Sequence, residues 1–225
     1  MEAQALLALP FTGTWLVERS PADRVPSHGT AILGQAYALD LVAVDARGRS
    51  ARRRDWRTVL ATEPPERFVG WGADVLAPAD GRVVTAHDGE ADHVARRSPV
   101  TLLPYALTQA RRLGEGPAAL AGNHVVLELP GGGRYVVLAH LRRGSVRVRP
   151  GDRVREGQVV GACGNSGNST QPHLHLHVMD HPDPRRAQGV PVAFRDYAER
   201  RGDAWVAVSR GLPSGGTVVR PAGRG

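Results

Sequence analysis

Gln171-Pro-His-Leu-His-Leu-His-Val178 is the stretch on which the fold turns. Imidazole and leucine alternate with a period of two, the period of a β-strand whose successive side chains point to opposite faces. His173, His175 and His177 therefore share one face of a strand, and Leu174 and Leu176 share the other. Imidazole is a common zinc ligand, and a catalytic zinc usually keeps three protein ligands and one open position, so this strand needs donors from elsewhere in the chain to build a metal centre. Alternation alone fits a solvated histidine-rich strand as well as a metal face.

Outward from this strand, the chain alternates β-like runs with Gly, Pro and Asp punctuation. The runs are Gln35 to Val44, Gly81 to Ala86, His124 to Leu129, Arg134 to Leu141, Gln158 to Ala162, His173 to Met179 and Ala204 to Val208. Pro130-Gly-Gly-Gly133 between two valine-rich runs reads as a hairpin turn. Leu102 to Leu113 has apolar residues at helical spacing and stops before Gly114, which predicts one inserted helix within about 100–114. Residues 45–68 are charged and aperiodic, which predicts an exposed loop beside the site, and the Gly-, Pro- and Arg-rich tail after Leu212 is expected to fray at its end. The expected fold is all-β, mainly an antiparallel sheet forming an open groove. It is expected as a single domain over 1–225 with its core at about 25–180.

Composition narrows the function. The 225 residues are 41% hydrophobic, enough for a buried core. No run reaches the length of a membrane-spanning helix, and Met1 to Pro10 lacks the basic start and small-residue cleavage site of a secretory signal, so a cytoplasmic location or export by an unrecognised route is expected. Cys163 is the sole cysteine, which excludes an internal disulfide framework; it reads as a small buried hydrophobe. The net charge of +7 comes entirely from scattered arginine, and aromatic residues make up only 5%, so no specific nucleic-acid partner is expected.

Four segments in order resemble one known family. Val137-Leu-Ala-His-Leu141, the turn from Val148 to Val159, Gly164-Asn-Ser-Gly167 and Pro172-His-Leu-His175 together resemble the M23 (LytM, lysostaphin-type) zinc metallopeptidases. The resemblance covers roughly Gln35 to Val178, the insertion aside. It implies an antiparallel sheet with zinc on the floor of a groove and cleavage of short-side-chain peptide bonds, in peptidoglycan or Gly/Ala-rich peptides. Carried onto this chain, it makes His175 and Asp40 metal ligands and makes His140 and His173 catalytic histidines that do not bind the metal. His177 falls where the family often has glutamate, and only a supporting role is expected of it.

One departure matters. Where the family carries its first zinc ligand, four residues before the aspartate, this chain has Ala36. His28, in Ser27-His-Gly-Thr30, is the only histidine upstream of Asp40. A turn centred on Gly34 would set His28 opposite Asp40, where paired side chains come within reach of one ion, and His28 is taken as the third ligand on that arithmetic. The alternative is a degenerate, metal-free module that binds peptide or regulates a partner. A third reading starts from Pro150 to Gln158, which also resembles the turns of biotinyl, lipoyl and phosphotransferase IIA domains; a carrier needs a lysine to modify, and the chain has none. The other histidines read as structural. With residue 124 paired to 139, His124 is expected on the face opposite His140, His87, His93 and His181 fall in polar loops, and Asn123 and Arg134 read as surface polar residues near the hairpin.

Overall fold

The computed structural model describes residues 4–53, 55–98, 100 and 116–223. The strands are β1 (Ala5–Leu7), β2 (Trp15–Arg19), β3 (Leu39–Ala43), β4 (Asp74–Leu76), β5 (Gly81–His87), β6 (Asn123–Glu128), β7 (Tyr135–Leu141) and β8 (Arg153–Val154). They continue as β9 (Val159–Ala162), β10 (Leu174–Met179), β11 (Gly189–Val190), β12 (Val192–Arg201), β13 (Ala204–Gly211) and β14 (Val218–Pro221). Two five-residue helices, α1 (Trp56–Leu60) and α2 (Pro117–Ala121), are the α-helices bounded among the described residues. None of them is long and apolar enough to cross a membrane.

The protein is mostly β, as the alternating runs predict. Among the described residues a 12-stranded sheet runs β1-β12-β14-β2-β3-β10-β7-β6-β5-β8, with β11 added to β10 and β13 to β12, and β4 and β9 form a second small sheet. All pairs are antiparallel except β1 with β12. β10 lies near the middle, flanked by β3 and β7. Both faces of β10 are buried. Leu174, Leu176 and Val178 join Leu39, Leu41, Val136 and Leu138 in the main core, while His175, His177 and Met179 face the other way. Burial of the leucine face is the non-directional force that pins this register; a slip of one residue would send every imidazole into the core.

The sheet takes in strands on both sides of 25–180, since β1 and the β12–β14 segment extend it. The tail after Leu212, expected to fray at its end, supplies β14 before that end, paired to both β12 and β2. The Pro130–Gly133 turn closes the hairpin between β6 and β7, with Glu128 opposite Tyr135. The run predicted from Gln35 to Val44 is a strand only over Leu39–Ala43; Ile32–Tyr37 is a 3-10 segment that breaks at Leu33 and Gly34, whose φ values are 57° and 74°. The segment 45–68 is not a plain exposed loop. It holds α1 and a 3-10 turn at Pro65–Arg67, bridges Ala51 to Phe68, and packs Phe68 with Ala51 and Ala95 in a cluster of its own. None of its described residues lines the groove described next. The inserted helix expected within about 100–114 lies outside the described residues, Val100 apart.

Candidate metal and catalytic site

β3 and β10 pair so that Asp40 stands directly opposite His175. Both side chains leave the sheet on the face away from the core, at the floor of a groove of about 810 Å³. His28 reaches the same point by a different path from the one the sequence suggested. No strand runs from His28 to a turn at Gly34; β2 is the antiparallel neighbour of β3, with Arg19 opposite Asp40, and His28 comes from the irregular segment that connects these two strands. His28 Nε2 lies 2.8 Å from Asp40 Oδ2, and Ser27 Oγ lies 3.0 Å from His28 Nδ1. His175 Nδ1 lies 2.9 Å from Asp40 Oδ1. One donor atom from each of His28, Asp40 and His175 falls within 4.8 Å of the other two. Ala36 does not line the groove; its Cβ sits against Gly189 of β11.

His140 and His173 complete the cluster, their ring centroids 4.7 Å apart. Each is held in the same way. His140 Nδ1 is 3.0 Å from the Ser166 carbonyl, and His173 Nδ1 is 2.8 Å from the Gln171 carbonyl with Ser169 Oγ at 3.0 Å. A carbonyl only accepts, so both rings carry a proton on Nδ1 and turn Nε2 inward, His173 Nε2 lying 3.5 Å from Asp40 Oδ1. Burial, reinforced by His173 and His175, pushes His140 well below the ordinary histidine range. Burial also pulls His173 down, but the charge and hydrogen bond of Asp40 outweigh it and the pKa is raised. Burial lowers His175, and although burial works against the Asp40 carboxylate, the surrounding His173, His175 and His28 hold it well below the usual range.

The placement of His140 depends on a β-bulge. Asn123 pairs with Leu141 and Val125 with Leu138, so two steps along β6 span three along β7. The extra residue leaves Leu138 and Leu141 in the core while Ala139 and His140 both face the groove, with His140 at φ 62°. This overturns the expectation for His124. It sits opposite the bulged pair and lines the same groove as His140, with Nδ1 2.7 Å from the Gly122 carbonyl. Asn123 is likewise no surface residue. It is fully buried, accepting from the Gly89 and Glu90 amides and donating to the Glu90 and Leu141 carbonyls.

Behind the bulge, the Gly164–Gly167 turn supplies the Ser166 carbonyl that holds His140. Ser166 Oγ donates to the Leu141 carbonyl at 2.7 Å and accepts from the Asn123 amide at 3.0 Å. Gly167, at φ 68°, packs so closely on Gly122 that an added Cβ would meet the Gly122 nitrogen at 2.4 Å. Sequence reasoning gave no role to Ser27, Ser166 and Ser169, although Ser27 and Ser166 lie in segments it named, since the ring that Ser166 holds is brought to it only by the fold. Arg19 was also missed. It stands on the groove wall with its side chain 55% exposed and its Nε 3.9 Å from Asp40 Oδ2.

Fold and site define a β-sheet groove with a buried histidine and aspartate centre, arranged as a candidate metal site. Residues 105–191 match Peptidase family M23. The matched stretch contains His140, His173, His175 and His177, whereas His28 and Asp40 precede it. The chain is similar to the peptidoglycan DD-endopeptidase ShyA of Vibrio cholerae, with 32% identity over 90 residues; these make up 36% of this chain and 20% of the relative, so the chain spans about a fifth of that protein's length. Among solved structures it is similar to the catalytic domain of lysostaphin from Staphylococcus simulans, at 18% identity and a TM-score of 0.40, covering 79% of this chain and 88% of that one. It is also similar to the M23 metalloprotease pseudoalterin from the deep sea, at 13% identity and a TM-score of 0.43, covering 93% and 99%.

Proposed function

We propose that this protein is a zinc-dependent endopeptidase that hydrolyses peptide bonds of the peptidoglycan type. The observation that carries the reading is the convergence of His28, Asp40 and His175 on one point of the groove floor. The donor set suits zinc: two imidazoles and a carboxylate are borderline nitrogen and hard oxygen ligands, and three protein ligands leave a position open. His28 takes the place that Ala36 leaves empty, so the substitution at position 36 does not by itself argue for a metal-free module.

When bound, zinc supplies a Lewis acid for the scissile carbonyl and a lowered pKa for the attacking water. The side chains supply the rest. His140 is neutral and presents a bare Nε2, so it takes the proton of the water. His173 holds its proton more firmly and offers it to the oxygen that gains charge as the carbonyl is attacked. Arg19, beside the centre on the groove wall, offers a cation to the free carboxylates that peptidoglycan stem peptides carry. A peptidoglycan substrate also implies that the working protein is exported.

The test is direct. Purified protein should contain about one zinc per chain by elemental analysis, release soluble peptides from purified peptidoglycan, and lose that activity on chelation and regain it with zinc. A folded, zinc-loaded protein that leaves both peptidoglycan and Gly/Ala-rich peptides intact would refute the activity, and a folded protein that takes up no zinc would refute the metal centre.

A further inference from the structure

His140 and His173, the two rings that the proposed reaction uses, take their orientation from one short stretch of chain. The Ser166 carbonyl holds His140, and the Gln171 carbonyl and Ser169 Oγ hold His173. Residues 164–173 are mostly buried and belong to neither strand nor helix, so no ladder fixes them. Buried backbone without a ladder must find its hydrogen bonds elsewhere, and much of this stretch finds them in residues 88–97.

The His93 amide donates to the Asn165 carbonyl at 3.2 Å, and the Arg96 amide donates to the Thr170 carbonyl at 2.7 Å. Asn165 Nδ2 donates to the His93 carbonyl at 2.6 Å. Two side chains of the same segment add to this. Asp92 Oδ1 accepts from the Asn165 amide at 2.7 Å, while Asp92 Oδ2 accepts from the Arg143 amide at 2.8 Å. One carboxylate thus joins the chain just past His140 to the turn whose Ser166 carbonyl holds that ring. His93 Nε2 lies 2.8 Å from the Gly167 carbonyl, and a carbonyl only accepts, so the imidazole donates there.

The segment is itself held at both ends. Near its start, Asp88 accepts from the Gly144 and Val146 amides, and the buried Asn123 side chain binds the backbone of Gly89 and Glu90. Near its close, Ala95 exchanges both backbone hydrogen bonds with Glu63, and the Arg97 guanidinium grips the buried Glu63 carboxylate at 2.8–3.0 Å. None of residues 88–97 lines the groove. A strap fixed outside the groove therefore carries the turn that aims the rings inside it.

We propose that Asp92 and His93 are positioning residues for His140 and His173, acting through residues 164–171. The inference rests on the reading of those two histidines as the groups that move protons. It gives a task to His93, whose place in a polar loop suggested none.

The experiment uses the full zinc-loaded chain and measures kcat and KM for peptidoglycan hydrolysis, zinc content, a thermal melt and ¹H–¹³C spectra of the histidine rings. Asp92→Asn loses the acceptor for one of the two amides, and His93→Phe keeps a ring without the donor. A catalytic group displaced by about 1 Å can lose on the order of 10²-fold in rate, so both variants should lower kcat about 10–100-fold. KM should stay within about threefold of wild type, as expected when only the reacting geometry has moved. Zinc content should hold, since the proposed ligands His28, Asp40 and His175 lie outside residues 164–171. In the spectra the ring signals of His140 and His173 should shift while those of His28 stay. His93→Gln, whose Nε2–H can donate to the Gly167 carbonyl as the imidazole does, should keep kcat within about threefold of wild type. A folded Asp92→Asn or His93→Phe variant with wild-type kcat, or with unmoved His140 and His173 signals, would overturn the inference, and so would a Gln variant as impaired as the Phe one. Should His93→Phe fail to fold, Asp92→Asn, which keeps the shape of the native side chain, decides alone. A wild-type protein that cleaves no peptide would overturn the proposed function instead; the ring signals then still decide the positioning, and unmoved signals would refute it.

Discussion

His28→Ala is the sharpest test of how this chain completes its site. His28 Nε2 is 2.8 Å from Asp40 Oδ2, and the side chain is only 16% exposed, so among the described residues truncation leaves no other donor on Asp40 Oδ2 except Arg19, which is a cation and cannot ligate zinc. Zinc sites with four protein ligands bind with about 10–16 kcal/mol, so each ligand contributes roughly 3–4 kcal/mol, which corresponds to about 10²–10³-fold in Kd. The variant should therefore bind zinc about 10²–10³-fold more weakly than wild type, comparable to His175→Ala. Its fold should survive, because Asp40 keeps His175 at 2.9 Å and His173 at 3.5 Å; loss of one charged hydrogen bond costs about 1.5–3 kcal/mol. Chelator competition gives the affinity, and circular dichroism with a thermal melt separates loss of metal from loss of fold. Adding Ala36→His to this variant should not restore binding, since position 36 packs against Gly189 and does not line the groove. Wild-type affinity in the single variant, or full recovery in the double one, would refute the reasoning.

His140→Ala and His173→Ala should each retain zinc near the wild-type level while turnover falls by about 10²–10⁴-fold, and undiminished peptide hydrolysis in either would remove that residue from the chemistry. Gly167→Ala should lower the melting temperature and activity together, because a side chain there is strained at φ 68° and collides with the Gly122 backbone, pushing away the turn whose Ser166 carbonyl holds His140; an unchanged melt with unchanged turnover would contradict this. Cys163 is fully buried, and burial, with Asp92 nearby, pushes its thiol pKa up, so the native protein should resist a thiol reagent that labels it fully in denaturant. Stoichiometric labelling of the folded protein would show the thiol to be accessible.

The sequence by itself determined what local periodicity can specify. The His-Leu alternation settled that β10 has an apolar face and an imidazole face, because a period of two admits no other arrangement in a strand. The glycine turn between β6 and β7 was legible for a similar reason, since Pro130 to Gly133 suits little but a reversal of the chain. The ordered motifs around His140, His173 and His175 carried the resemblance to family M23, whose model matches residues 105–191. Tertiary structure decided what depends on contacts between distant segments. His28 and Asp40 do meet, though not across a hairpin; the 3-10 break at Leu33 and Gly34 and the pairing of β2 with β3 bring them together, and neither follows from the spacing of twelve residues. His140 and His124 share the groove because one extra residue bulges in β7, and a single unpaired residue reverses a side-chain face that alternation had assigned with equal clarity. The tail beyond Leu212 became a strand because β2 and β12 leave a gap that its Val218–Pro221 segment fills, and a strand formed by completing a sheet draws its stability from partners that its own composition does not reveal.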